Sequence, residues 1–221
     1  MLAVLLILLL MPLALAAIYR VVAPPVTLLM VERLAQGYGL HKDWRPVSRI
    51  SPDLVRSVIA AEDSHFCSHH GFDMAAMRAA AAHNARDPRR VRGGSTISQQ
   101  TAKNVFLWPQ RSYVRKGLEA GFTSLIEPLW GKRRIMEVYL NVVEWGPGVY
   151  GAQAASQRYF GHGANELSAS EAARLAAILP DPLKWKAVRP GAYVARRSRR
   201  IGAAAQTVQA DDLAACVLRG G

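Results

Sequence analysis

The strongest constraint on this chain is a helix that carries an acid where its apolar face should continue. Ser51 can cap it, Pro52 fits the first turn, and Asp53 suits the positive end of the helix dipole. Leu54, Val55, Val58 and Ile59 then recur at helical spacing, and Glu62 extends the same face. Such a helix must pack on others. Its acid must be solvated at a fraying end, ion-paired in the interior, or held with a raised pKa. The helix is expected to run to His65, and the stretch Ala60 to Asp73, AAEDSHFCSHHGFD, closes it with a turn at His69-His70-Gly71.

Composition narrows the class. Among 221 residues, 51% are apolar, Ala and Leu abound and runs of β-branched residues are few, which favours a helical protein of one domain, with room for a membrane segment. With 28 Lys+Arg against 16 Asp+Glu, the net charge of +12 calls for an anionic partner: nucleic acid, anionic lipid or a phosphorylated substrate. Cys67 and Cys216 form neither a metal-ligand spacing nor a disulfide framework, and their pairing is left open. His65, His69 and His70 lack the further ligands of a metal site, so structural or capping roles are expected for them.

Residues 1 to 19 carry no charged side chain, and an apolar run of about 20 residues can cross a bilayer as a helix. It is read as an uncleaved anchor over residues 1–22, against the alternative of a signal peptide cut after Ala14-Leu15-Ala16. No basic stretch precedes the run, so charge gives it no orientation. Ala23-Pro24-Pro25 breaks the helix, and residues 23–221 form the remaining domain. Leu28, Leu29, Val31 and Leu34 mark an amphipathic stretch, and Trp44, Arg45 and Pro46 a loop near the membrane surface.

Beyond the Glu62 helix, an Ala-rich helix is expected from Met74 to Ala85 and a basic loop from Arg86 to Gly94. Thr96 and Gln99 then fit a capping box, with Ile97, Thr101 and Val105 on one face of the helix it opens. Gln99 and Lys103, and Gln100 and Asn104, form two polar stripes, a costly interior but a good surface for sugar or phosphate. Arg115 and Glu119 sit four apart on the next helix, where a surface ion pair would contribute less than about 1 kcal/mol. Lys132 to Asn141 reads as a separate amphipathic helix, Val143 to Gly148 as a turn, Ala152 to Tyr159 and Ser170 to Leu179 as core helices, and the Arg196, Arg197, Arg199 and Arg200 segment as a last basic helix.

Four of these segments fall into a known order. Glu62-Asp63, Phe66, His69, Gly71 and Asp73 form the first motif, and Gly93 to Gln100 with Lys103-Asn104 the second, in which Ser98 replaces a Thr and keeps the hydroxyl. Arg115, Lys116 and Glu119 form the third; Lys132, Ile135, Glu137, Tyr139, Leu140 and Asn141 the fourth. In these motifs the chain resembles the bacterial peptidoglycan glycosyltransferases of the penicillin-binding-protein type, specifically the short monofunctional biosynthetic form. Leu118 departs from the pattern, standing where many relatives carry a polar residue, and the Ser-x-x-Lys nucleophile of a transpeptidase domain is absent.

The resemblance implies an all-α, lysozyme-like domain with a smaller membrane-facing lobe, set in the inner membrane with its catalytic part in the periplasm. It implies polymerisation of lipid II, a disaccharide-pentapeptide on undecaprenyl pyrophosphate, by inverting transfer of the growing strand to an acceptor 4-hydroxyl. Glu62 would be the general base, Glu119 would orient the base or the cations, and Lys103, Arg111 and Lys116, with Arg115, would stabilise the leaving pyrophosphate. Ser95, Gln99, Gln100 and Asn104 would contact sugar and phosphate. No cofactor is required by the sequence, although a divalent cation, Mg or Mn, often assists relatives at the pyrophosphate. Expected partners are the glycan strand, membrane lipid and cell-division or elongation proteins, with no nucleic acid. The amphipathic segment before Trp44, or apolar side chains from Val105 to Trp108, would dip into lipid.

Two rivals make different demands. A lytic enzyme on the same scaffold would use Glu62 as an acid, but a glycan leaving group carries no pyrophosphate for Lys103, Arg111, Arg115 and Lys116 to neutralise. A tethered basic binding protein would explain the charge, yet no helix-turn-helix or zinc-finger pattern accompanies it.

Overall fold

Helices begin where a cap and an apolar stripe coincide. The computed structural model describes residues 2–89 and 92–219, with side chains from residue 10 onward. Its elements are α1 (Leu2–Tyr19), α2 (Leu28–Ala35), β1 (His41–Lys42), α3 (Pro52–Glu62), α4 (Met74–Arg86), α5 (Ile97–Phe106), α6 (Tyr113–Val142), β2 (Glu144–Gly146), β3 (Val149–Tyr150), α7 (Ala152–Phe160), α8 (Ala169–Ile178), α9 (Ala192–Ala210) and α10 (Ala215–Leu218). Ser51 caps α3, Asp73 caps α4, Ser112 caps α6, and α5 and α8 open with full capping boxes.

The domain is mostly helical, with one addition. Val143 to Gly148, expected as a turn, starts a hairpin: β2 pairs antiparallel with β3, and β1 joins β3 in parallel, His41 opposite Val149. Strands of two or three residues are too short to carry an alternating pattern, so no periodicity announces them.

The apolar face of α3 packs against α8 and α9, while α5 lies along α6. Leu54, Val55, Val58 and Ile59 are fully buried, and the core continues through Phe66, Ile97, Met136, Tyr139, Trp145 and Leu175. The third and fourth motifs lie, as expected, on two successive helical segments of α6, separated where the backbone leaves helical geometry at Gly131 (φ 69°, ψ 166°), just after Pro128. Those angles are open to glycine without steric cost, and they let the chain change direction between the two helical segments.

The end of α1 is docked on α6. The Trp130 indole N–H donates to the Ala16 carbonyl at 2.7 Å, and the Arg134 guanidinium donates to the carbonyls of Tyr19 and Val22. The Tyr19 carbonyl is one that the helix end leaves without an intrahelical donor, while the Ala16 carbonyl also accepts the Arg20 N–H at 3.1 Å. Among the described residues, no helix is long and apolar enough to cross a membrane. The anchor expected over 1–22 depends on side chains 1–9, which lie outside the described residues, as do positions 90 and 91 of the basic loop.

Cys67 and Cys216, left open by the sequence, are joined in a disulfide with their Cα atoms 5.6 Å apart. The bond ties the loop after α3 to α10, whose Val217 carbonyl also accepts from Arg133. A crosslink across 149 residues constrains the unfolded chain strongly. Replacing both cysteines by Ser should lower stability by about 2–4 kcal/mol in a denaturant titration. An unchanged midpoint would show that packing alone holds α10.

Candidate active site

Glu62 is the last residue of α3, and the chain leaves the helix at Asp63 (φ −163°, ψ 76°). The helix therefore stops three residues before His65, where the sequence suggested it would end. The reason is tertiary. The Asp63 carboxylate accepts the Ile97 N–H at 2.9 Å, one of the unsatisfied donors at the start of α5, and the His69 Nε2–H at 3.0 Å. The Gly71 N–H donates to His69 Nδ1, which leaves Nε2 to carry the hydrogen. Gly71 has φ +91°, and a Cβ there would lie 2.9 Å from Thr123 of α6. His65 bonds to Asp73 at 2.8 Å. The first motif is therefore largely a device for holding one loop, which leaves Glu62 free for other contacts.

That carboxylate stands between two partners. Gln100 Nε2–H donates to Oε2 at 2.9 Å, and Arg197 of α9 lies 3.6 Å from Oε1. The Tyr139 hydroxyl donates to Gln100 Oε1, which fixes the direction in which the amide points. With its side chain 15% exposed, Glu62 has its pKa raised by burial, against the opposing pull of Gln100, Arg197 and Lys103. A carboxylate so placed is a better proton acceptor than a solvated one.

A cationic group gathers where α5 faces the start of α6. Arg115 pairs with Glu119 at 2.9 Å, and Lys116 contacts both Glu119 and, at 3.1 Å, the Ser95 hydroxyl. The Arg115–Glu119 pair is buried, so the sequence-based picture of a surface pair with little energetic weight is corrected: removing either partner would strand a buried charge. Arg115 Nε is buried without a partner among the described residues. Lys103 makes no hydrogen bond or ion pair among the described residues. Its pKa is lowered by burial first and then by Arg115, Lys116 and Arg111, with Glu119 opposing. Three cations around one carboxylate leave excess positive charge to meet an anion.

Not every residue of the second motif faces that space. Gln99 is 1% exposed, and its side-chain oxygen accepts the Thr96 N–H at 3.0 Å, so it builds the corner of the capping box and does not line the cleft. This corrects its expected sugar contact. Asn104 is buried in the wall of a recess of about 230 Å³ that it shares with Gln100, Lys103, Arg33 and Trp108. On the other side of Glu62, a recess of about 430 Å³ runs past His65, Asp73, Ser95 and Thr96. Val105 and Leu107 are core residues, so lipid contact through them is also corrected; the exposed apolar side chains nearby are Tyr113, Val114 and Leu118. Among the described residues, no group of His, Cys, Asp or Glu could hold a metal ion.

Arg197 and the Tyr139–Gln100 relay are the parts of the site that sequence reasoning missed. Arg197 was visible only as one of four arginines on a basic helix, with nothing to say which faced Glu62.

Residues 30–206 match the model of a family described as Transglycosylase. The chain is 58% identical over 217 residues to a protein of Caulobacter vibrioides named biosynthetic peptidoglycan transglycosylase, covering 98% of this chain and 94% of that protein. Proteins of the same name from Rhodospirillum centenum and Pseudomonas aeruginosa are each 55% identical, over 93% and 83% of this chain and 89% and 82% of their own lengths.

Proposed function

Because this chain belongs to the transglycosylase family and is a peptidoglycan glycosyltransferase, we propose that it polymerises lipid II by inverting transfer with Glu62 as general base. The observation that carries the reading is Glu62 itself, desolvated, held by Gln100 and Arg197, and adjacent to a cationic group with one lysine unpaired.

In this reading the acceptor 4-hydroxyl attacks the anomeric carbon of the growing strand. The new C–O bond forms as the bond to the pyrophosphate oxygen breaks, the hydroxyl proton passes to Glu62, and the electron pair leaves with the pyrophosphate. Lys103, Arg111 and Lys116 receive that charge, and Arg115 with Glu119 holds Lys116 in position. A divalent cation, Mg or Mn, would supply further charge neutralisation at the substrate pyrophosphate. The exposed Tyr113, Val114 and Leu118 of α6, and Leu28, Val31 and Leu34 of α2, would meet membrane lipid, and residues 1–22 would anchor the chain with its catalytic domain in the periplasm. The disulfide suits that oxidising compartment.

Incubating the purified protein with labelled lipid II should give polymer that a muramidase digests; release of short fragments from preformed glycan would favour a lytic enzyme instead. The pH profile is a second test. Glu62 works deprotonated with a raised pKa, and Lys103 works protonated with a lowered one. Both limbs of the bell should therefore move inward, the acid limb above the usual carboxylate value of 4.5 and the alkaline limb below the usual lysine value of 10.5. Gln100→Leu, which removes a hydrogen bond to the charged form, should push the acid limb higher still. An acid limb that ignores this change would assign it to another group.

A further inference from the structure

Tyr193, Arg196, Arg197, Arg200, Ile201 and Ala204 recur at helical spacing along one face of α9. They line a cleft of about 820 Å³ whose other walls include Ala60 and Ala61 of α3 and His83 and Asp87 at the end of α4. Ala60 and Ala61 also line the recess that holds Glu62, Ser95 and Thr96, so the two spaces adjoin. Arg197 bridges them, donating through Nε to the Ala177 carbonyl at 3.2 Å and lying beside Glu62 at 3.6 Å. Arg196 and Arg200 are exposed and make no hydrogen bond or ion pair among the described residues. Like charges at this spacing destabilise a helix, and Asp87, the acid within the cleft, pairs with none of them.

We propose that this arginine face is a carboxylate-binding subsite for the peptide portion of the substrate, placed beside the carboxylate that activates the acceptor hydroxyl. The proposal rests on the lipid II reading above. Three features point to a peptide over a second pyrophosphate. The cleft has the volume of sites that enclose a whole small molecule, within the usual range of about 300–1,000 Å³. Its walls alternate arginines with Ala60, Ala61, Ile201, Ala204 and the Tyr193 ring, which suits small side chains between charged ends. Asp87 would accept from a peptide N–H or an amine, donors that a pyrophosphate lacks. A pentapeptide ends in a free carboxylate, the group that a guanidinium fork matches in shape.

The test compares full-length parent, Arg196→Gln/Arg200→Gln and Arg199→Gln on two substrates, lipid II with free peptide carboxylates and lipid II with those carboxylates amidated. Arg199 lies on the same helix but lines a different recess, with Asp53, Arg56 and Ser57. The double variant should raise KM for free lipid II about tenfold with kcat within about twofold. Amidation should raise the parent's KM by a similar factor and leave parent and double variant alike. Arg199→Gln should match the parent. The proposal is overturned if the double variant keeps the parent's KM, if its penalty persists on amidated substrate, which would assign the arginines to a phosphate, or if Arg199→Gln reproduces it, which would leave only bulk charge. A parent that forms no polymer would remove the lipid II reading and this subsite with it. An active parent with an indifferent double variant would remove the subsite alone.

Discussion

Glu62→Gln should reduce polymerisation by about 100-fold or more while leaving the protein folded. The substitution keeps the shape that Gln100 and Arg197 surround and removes the proton acceptor. It should also leave a signature in stability. A carboxyl with its pKa raised by folding binds its proton more tightly in the folded state. Its contribution to stability is therefore present below the unfolded value and lost as pH rises through the folded one. Gln does not titrate, so the variant should unfold at the same or a higher temperature than the parent at neutral pH, and that advantage should close below the usual value of 4.5. Activity within a few-fold of the parent would remove Glu62 from the mechanism. A loss of activity together with a lower melting temperature at neutral pH would mean that Glu62 supports the fold.

Lys103→Met should lower turnover by about 100-fold at saturating lipid II while changing KM by no more than about threefold. Lys103 has no partner among the described residues, so its removal strands no acceptor, and the melting temperature should hardly move. In the proposed mechanism it meets charge that develops as the bond to pyrophosphate breaks, which would make the contact stronger in the transition state than in the bound substrate. Arg111→Gln should follow the same pattern with a smaller effect, since Arg111 is exposed and more screened. If the lysine merely attracted the protein to anionic lipid, neutral detergent would abolish the difference and added salt would reproduce it in the parent. Unchanged turnover in neutral detergent would therefore leave Lys103 as surface charge only.

The parts of the site that were legible in the sequence are those built within a few residues of one another. Ser51-Pro52-Asp53 announced α3, the phase of Val58 and Ile59 placed Glu62 on the packed side, and Thr96 with Gln99 announced α5, because caps and helical spacing are local rules. The motif resemblance then pointed to Lys103, Lys116 and Glu119 as neighbours, and the folded chain brings them together. What stayed hidden was long-range. Nothing in the sequence specifies that Cys67 and Cys216, 149 positions apart, meet. The partner of the helix-ending Asp63 is the Ile97 N–H, 34 positions away. The choice of Arg197 over its neighbours depends on how α9 is rotated against α3, which only the packed core determines. Gln99 shows the opposite error: the spacing that marked it as a surface amide also marked it as half of a capping box, and the box took the side chain.

The disulfide has a consequence in time as well as in space. Cys67 sits in the loop that carries the first motif, and its partner is added 149 residues later. At synthesis rates of about 5–20 residues per second, roughly 7–30 s separate the two thiols. Through that interval the loop has only non-covalent contacts to hold it, among them those of Asp63 with Ile97 and of Gly71 with Thr96, and Cys67 remains open to any other thiol it meets. A chain that stops short of α10 would carry every motif residue and still lack the covalent closure of its first motif. Closing the loop beside Glu62 therefore waits on α10, the element that supplies Cys216.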